Sequence, residues 1–334
     1  MKNRTKILLG LLILAGLLFS GTSLWVWRSL HTPAASDSRE KIFTIAPGQP
    51  LKQIAANLAS RGLVSDAVLF TWYARYKKAG TRLPAGEYRL SPNLTPVQIL
   101  NTLLEGKVRL YRLTIPEGLN MEETASLVAA AGLCDAKTFL DLCRDQAFIT
   151  ALSVPSHTLE GFLFPDTYFF PKSPPCRQVI KKMVDTFFTV FTPRWQERAQ
   201  TMGFTLQETV TLASMIEKET GDASERPLIA SVFHNRLEKK MRLESDPTVI
   251  YGDPEFDGRI RTRHLRRKTD YNTYQMHGLP KGPIASPGAK ALEAALFPAQ
   301  SDYLFFVSKN DTTHYFSKTL AEHNRAVRKY QLNR

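Results

Sequence analysis

Cysteine is scarce in this chain: Cys134, Cys143 and Cys176 are the only three in 334 residues, and none stands in a CxxC. A thioredoxin-type motif and a cysteine zinc ribbon are thereby excluded. At most one disulfide can form, in an oxidising compartment. The cysteines are otherwise expected as small buried apolar residues without a redox or metal role. The seven histidines make no HExxH and no other ligand spacing, so no metal site is expected. GxSxG, a Walker loop and GxGxxG are absent as well, and the cofactor expectation is none. Acid is the short side of the charge balance, with 31 Asp and Glu against 44 Lys and Arg, a net of +13. Such an excess calls for an anionic partner: nucleic acid, anionic lipid or an acidic polymer.

What is present begins at the N-terminus. Lys2, Arg4 and Lys6 precede residues 7–27, which carry no charge. As a helix that run spans roughly 30 Å, about the hydrocarbon thickness of a bilayer. Trp25 and Trp27 stand at its far end, where indoles favour the membrane interface. A single-pass anchor over 7–27 is expected, with residues 1–6 as a cytoplasmic tail and 28–41 as a tether. A cleaved signal peptide is the alternative, with Pro33-Ala34-Ala35 as a poor cleavage site. Either way the bulk of the chain lies outside the cytoplasm, and nucleic acid drops out as a partner.

An internal repeat follows. Phe43-Thr44-Ile45-Ala46-Pro47-Gly48 recurs 70 residues later as Leu113-Thr114-Ile115-Pro116-Glu117-Gly118, and Gly62-Leu63 as Gly132-Leu133. Each copy reads as a strand, a glycine turn, a helix and a glycine cap. Further helices are expected over 67–78, 95–105, 136–144, 177–191 and 193–202, and a short strand over 249–251. A hairpin, 303–307 with 314–317, precedes a helix starting at Thr319. The fold class is α+β. Residues 159–171 are densely aromatic around Glu160 and Asp166, either a core segment or a wall of a sugar-binding cleft. Residues 259–268 hold six Lys or Arg and His264, either a solvated loop or a steering patch for anionic polymer.

Residues 206–220 read as one amphipathic helix. Its Glu217 has Ala213, Ser214, Thr220 and Gly221 as helical neighbours, all small, so space is expected above it. Glu219 points elsewhere and cannot be its partner. Ser224 is expected to cap the next helix.

Several motifs occur in order: Ala213-Ser214-Met215-Ile216-Glu217-Lys218-Glu219, Ser224-Glu225-Arg226, Phe233-His234-Asn235-Arg236, Ser245-Asp246-Pro247-Thr248, Tyr271-Asn272-Thr273-Tyr274 and Gly278-Leu279-Pro280. Together they resemble the YceG-like endolytic murein transglycosylases, from about residue 42 to the C-terminus. The resemblance implies a LysM-like subdomain over 42–109, which binds glycan or serves only as a packing module. It implies a mixed α+β catalytic domain over 110–334, with Glu217 as the acid/base. The glycan-holding candidates are Glu160, Asp246, Thr248, Tyr251, Asn272, Tyr274, Asn235 and Arg236. Arg236 is chosen because guanidinium groups bind carboxylates bidentately.

The implied reaction cuts the bond from N-acetylmuramic acid to N-acetylglucosamine and leaves a 1,6-anhydro end. One carboxyl suffices, because the C6 hydroxyl of the substrate is the nucleophile. Met215, Ile216 and the aromatic 162–170 segment are expected to keep that carboxyl dry. The implied setting is the outer face of the bacterial inner membrane, with peptidoglycan strands as substrate and peptidoglycan synthases as partners. The chain departs from the family pattern at Glu244, usually Gln, and at Thr269-Asp270, usually Ser-Pro. Glu244 thus adds a further carboxylate. Two alternatives stand beside this reading: a hydrolytic muramidase using a second carboxylate at Glu160, Asp166 or Glu244, and a non-catalytic anchored protein that recruits partners to glycan.

Overall fold

A computed structural model describes residues 2–80 and 82–332. The backbone divides into two compact units, residues 1–111 and 112–334.

The first unit opens with helix α1 (Lys2–His31). Its stretch Leu9–His31 reaches a mean hydropathy of 2.0 in its most apolar part and is long and apolar enough to cross a membrane, a test that a signal sequence also passes. Strand β1 (Lys41–Ile45), helices α2 (Leu51–Ser60) and α3 (Ala67–Tyr76), strand β2 (Gly86–Leu90) and helix α4 (Pro96–Leu104) follow. β1 and β2 pair antiparallel, Phe43 opposite Tyr88. The unit therefore has a β-α-α-β core, filled by Phe43, Leu58, Phe70, Tyr88 and Leu100. Asp66 caps α3 and Thr95 caps α4, each accepting from backbone N–H groups the helix leaves free.

The second unit begins where β3 (Tyr111–Thr114) pairs with β4 (Thr167–Phe170). Between them lie α5 (Met121–Ala130), α6 (Ala136–Arg144) and α7 (Gln146–Ala151). Then come α8 (Cys176–Val190), α9 (Pro193–Thr201), α10 (Leu206–Glu219), α11 (Arg226–Glu238), α12 (Asp246–Ile250), α13 (Thr262–Arg266) and α14 (Ala289–Leu296). The hairpin β5 (Phe305–Ser308) with β6 (His314–Ser317) and α15 (Leu320–Val327) complete it. α10 is the central post, with every residue from Thr209 to Glu217 buried. It packs against α14, α11 and α12.

The two copies of the repeat bury matching positions. Leu51, Ile54, Ala55 and Leu58 of α2 correspond, at the 70-residue offset, to Met121, Thr124, Ala125 and Val128 of α5. One helix face meets its own unit's core in each copy.

Three readings are corrected. Residues 249–251 are not a strand: α12 covers Asp246–Ile250, with Pro247 in its first turn, where proline's fixed φ favours a helix start. The cap of α11 is Glu225, not Ser224. The basic run is not all loop, since α13 lies inside it with His264 buried. The cysteines make the one disulfide that their number allows: α6 packs on α8, and Cys134 is bonded to Cys176. Closing a loop of 42 residues restricts the unfolded chain by about 4 kcal/mol. Cys143 alone is a free, buried thiol.

Candidate active site

Glu217 lies in the last turn of α10 and is 9% exposed. Its Oε1 accepts from Arg226 Nη2 at 2.6 Å, and its Oε2 accepts from the Gly288 amide at 3.0 Å. Arg226, 7% exposed at the start of α11, also stands 3.5 Å from Glu117 Oε2. Its Nε is buried and has no partner. Burial raises the Glu217 carboxyl above its ordinary value; the Gly288 amide and Arg226 oppose this, and the Glu117 charge adds to it. The carbonyl end of α10, with its partial negative charge, acts in the same direction as burial.

Two loops lie over the end of α10. Gly118 takes a positive φ of 77° that side chains rarely adopt, and a Cβ there would meet Glu217 Cγ and Lys218 Cδ, each at 3.7 Å. Its carbonyl accepts from Lys218 Nζ, its amide donates to Ser286 O, and the Ser286 amide donates to Leu119 O. The second loop is anchored by Ile284, whose amide donates to Ser214 Oγ at 3.1 Å. The small residues below Glu217 therefore do not leave open space. They admit backbone, and the buried run 282–288 fills the gap. Of the rings of 162–170, Phe162, Phe164, Tyr168 and Phe170 belong to the hydrophobic core, and Phe169 is exposed. Met215 and Ile216 are in that core too, since their helical positions turn them away from position 217.

The other candidates separate into three groups. Glu160 is buried, and its Oε2 accepts from Tyr251 Oη at 2.8 Å and the Met121 amide at 3.2 Å. Its Oε1 has no partner, and burial raises its pKa to about 7. Gly161 beside it is obligatory: a Cβ would strike Pro283 and Val210, and φ is +83°. Tyr251 also lines a cleft of about 680 Å³ with Asn120, Lys218, Ile250 and Phe256.

Asp246 and Tyr274 form the second group, joined by a 2.7 Å hydrogen bond. They border a cavity of about 340 Å³ with Glu219, Glu244 and His314. Glu219 accepts from Ser245 Oγ, and its pKa rises to about 7, chiefly through burial.

The third group has its polar atoms engaged within the protein itself. Asn272 is 0% exposed and donates to the carbonyls of His264, Leu265 and Arg267, closing α13. Thr248 bonds Ser245 O and Thr273 Oγ1. Asn235 donates to Ser301 O and Tyr303 O. Arg236 donates to Leu304 O, Leu243 O and Arg242 O and pairs with Glu244. Buried polar groups are rarely left unpaired, so such residues serve the fold that satisfies them.

Sequence pattern alone does not mark Glu117, Arg226 and Gly288 as site residues. A signal existed for Glu117, which stands in the second repeat copy where Pro47 stands in the first. A Cβ at Gly288 would collide with the Glu117 carboxylate. Among the described residues no three or more His, Cys, Asp or Glu side chains gather as a metal site.

Fold and site together define an α+β protein built around a helix that ends in a buried, arginine-held carboxyl. The chain belongs to the YceG-like family, whose pattern matches residues 43–329. It is similar to the "Endolytic murein transglycosylase" of Bacillus subtilis (strain 168), at 32% identity over 91% of this chain and 88% of the relative. It is similar to the protein of that name from Streptococcus pneumoniae serotype 2, at 29% identity over 91% of this chain. Of that relative's length the match covers 60%. A crystal structure of a yceG-like protein from Listeria monocytogenes superposes with a TM-score of 0.61 at 33% identity, over 86% of this chain and 98% of that one.

Proposed function

We propose that this chain is an endolytic murein transglycosylase with Glu217 as its acid/base. It cleaves the N-acetylmuramic acid to N-acetylglucosamine bond and leaves a 1,6-anhydro end. The observation that carries the reading is the balance of forces on Glu217, together with membership of the family. Burial and Glu117 favour the protonated form, while Arg226 and the Gly288 amide favour the carboxylate. An acid/base must use both forms in one turnover, and such opposition keeps both within reach. The protonated carboxyl gives its proton to the leaving oxygen. The resulting carboxylate is held by Arg226 and Gly288 until it accepts the proton of the C6 hydroxyl. The attacking group is already part of the bound sugar, so the second step gains from proximity.

Helix α1 anchors the protein in the inner membrane, with both units on the outer side and peptidoglycan synthases as its partners. The unit division at residue 111 and the β-α-α-β core of the first unit support a LysM-like module over 42–109, ahead of the catalytic part. Tyr251, Asp246 and Tyr274 line the two openings nearest the ends of α10 and α12 and serve as glycan contacts. Glu160 acts behind Tyr251.

A hydrolytic reading has one observation in its favour: Glu117 is a second carboxylate on the guanidinium that holds Glu217. Glycoside hydrolysis generally uses two carboxyl groups. Mass spectrometry of murein digested by the native chain and by Glu217→Gln decides the matter. Anhydro ends from the native chain and none from the variant are expected. Reducing ends from the native chain select hydrolysis, and an undiminished yield of anhydro ends from the variant removes Glu217 from the reaction.

A further inference from the structure

The first unit carries an apolar surface that its own core does not explain. On α3, Phe70, Thr71 and Ala74 face inward. On the opposite side Val68, Trp72 and Tyr76 are 67%, 68% and 79% exposed. Their spacing of four makes one continuous stripe along the helix. α3 packs against α1. Between the two runs a groove of about 520 Å³, lined by Val26, Trp27, Leu30, Leu69, Trp72 and Tyr76 among others. Exposed apolar patches of this kind mark a surface that meets something.

The position of the groove along α1 identifies what it meets. The apolar stretch Leu9–His31 has 23 residues, a rise of roughly 34 Å as a helix, slightly more than the hydrocarbon core of a bilayer. Its last turns, which line the groove, therefore emerge at the level of the lipid head groups. There indole and phenol rings are favoured, with an apolar body and a polar edge. Arg75, Lys77 and Lys78, at the end of α3 that carries Tyr76, are exposed, and Lys77 Nζ lies over the rings of Tyr73 and Tyr76. Cations at that level attract lipid phosphates. Of the polar groups in the groove, Thr22 donates to carbonyls of α1 and the His31 ring bonds Trp27 O; the indole and phenol groups beside them are the kind the membrane interface favours.

We propose that the groove between α1 and α3 takes phospholipid from the leaflet out of which α1 emerges. The first unit then rests in the membrane interface on Trp27, Trp72 and Tyr76, with Arg75, Lys77 and Lys78 toward the phosphates. The inference goes beyond the enzymatic reading and rests on α1 being an anchor.

The test uses the full chain reconstituted in vesicles of phosphatidylcholine and phosphatidylglycerol, some brominated near the glycerol. The chain has four tryptophans, Trp25, Trp27, Trp72 and Trp195. A form with Trp72 alone, the others replaced by Phe, is expected to show blue-shifted emission, quenched by brominated lipid as strongly as a form with Trp27 alone. The difference between the native chain and Trp72→Phe reads the same quantity through one exposed substitution, should the triple replacement disturb folding. Quenching of Trp27 without Trp72 overturns the proposal and leaves the anchor standing. Quenching of neither overturns both. Quenching of Trp72 by soluble murein fragments, with no response to brominated lipid, makes the stripe a glycan surface and overturns it as well.

Discussion

Arg226 Nη2 stands 2.6 Å from Glu217 Oε1 and 3.5 Å from Glu117 Oε2, so one buried guanidinium spans two carboxylates that are 100 residues apart in sequence. Arg226 stabilises the charged form of Glu217, whereas burial and Glu117 destabilise it. This relationship bears directly on how the proton of Glu217 responds to pH.

Replacing Arg226 by Gln removes a force that lowers the Glu217 pKa and leaves those that raise it. The pH above which activity is lost, where the proton donor ionises, is therefore expected to move upward. A pH–rate profile on soluble murein checks this. Arg226→Lys should restore part of the native position, since it keeps the charge but not the planar fork. An unchanged profile would mean that Arg226 does not act on the acid.

Gly288→Ala sets a methyl group where the Glu117 carboxylate lies, while the backbone φ of −77° accepts any residue. Glu117 is about half exposed and can swing away, so the melting temperature should change little. Activity is expected to fall roughly tenfold or more, through misplacement at the reacting centre. Unchanged activity would place Glu117 outside the site.

Asn272→Ala distinguishes a structural amide from a glycan ligand. Loss of a buried side chain bonded to three carbonyls of 264–267 should cost about 1–3 kcal/mol of stability. The folded fraction should keep its KM. Native stability with a raised KM would reverse the assignment.

Glu160 governs part of the stability–pH curve. Its folded pKa, about 7, lies above the ordinary carboxyl value of 4.5, so folding favours the protonated form. The associated stability is complete below about pH 4.5 and declines as pH rises through 7, by on the order of 3 kcal/mol in all. Glu160→Gln stays neutral and should melt above the native chain at pH 8, with the gap closing toward pH 4. Thermal melts across that range measure it, and a gap that does not vary with pH contradicts the burial of Glu160 as a charge.

Much of the fold follows from local pattern. The repeat was visible because Gly48 and Gly118, and Gly62 and Gly132, recur with their flanking apolar residues, and all four adopt positive φ. Helices 67–76, 96–104 and 206–219 could be read because their apolar spacing and caps lie within a few residues of one another. The chain's own order of residues also singled out Glu217, through the motifs around it and the small side chains beneath it.

What fills the space above those small side chains was a tertiary matter. A gap on a helix invites a ligand and a backbone equally, and only the packed chain shows the 284–288 loop entering it. The same limit applies to Asn272, Thr248, Asn235 and Arg236: polar residues suited to sugar are equally suited to backbone carbonyls, and only the packed chain shows the carbonyls that each meets. Glu117 reaches the Arg226 that holds Glu217 only after some hundred intervening residues have folded, although Arg226 itself is nine residues from Glu217. No periodicity carries that information, because the contact depends on where two loops cross the end of α10.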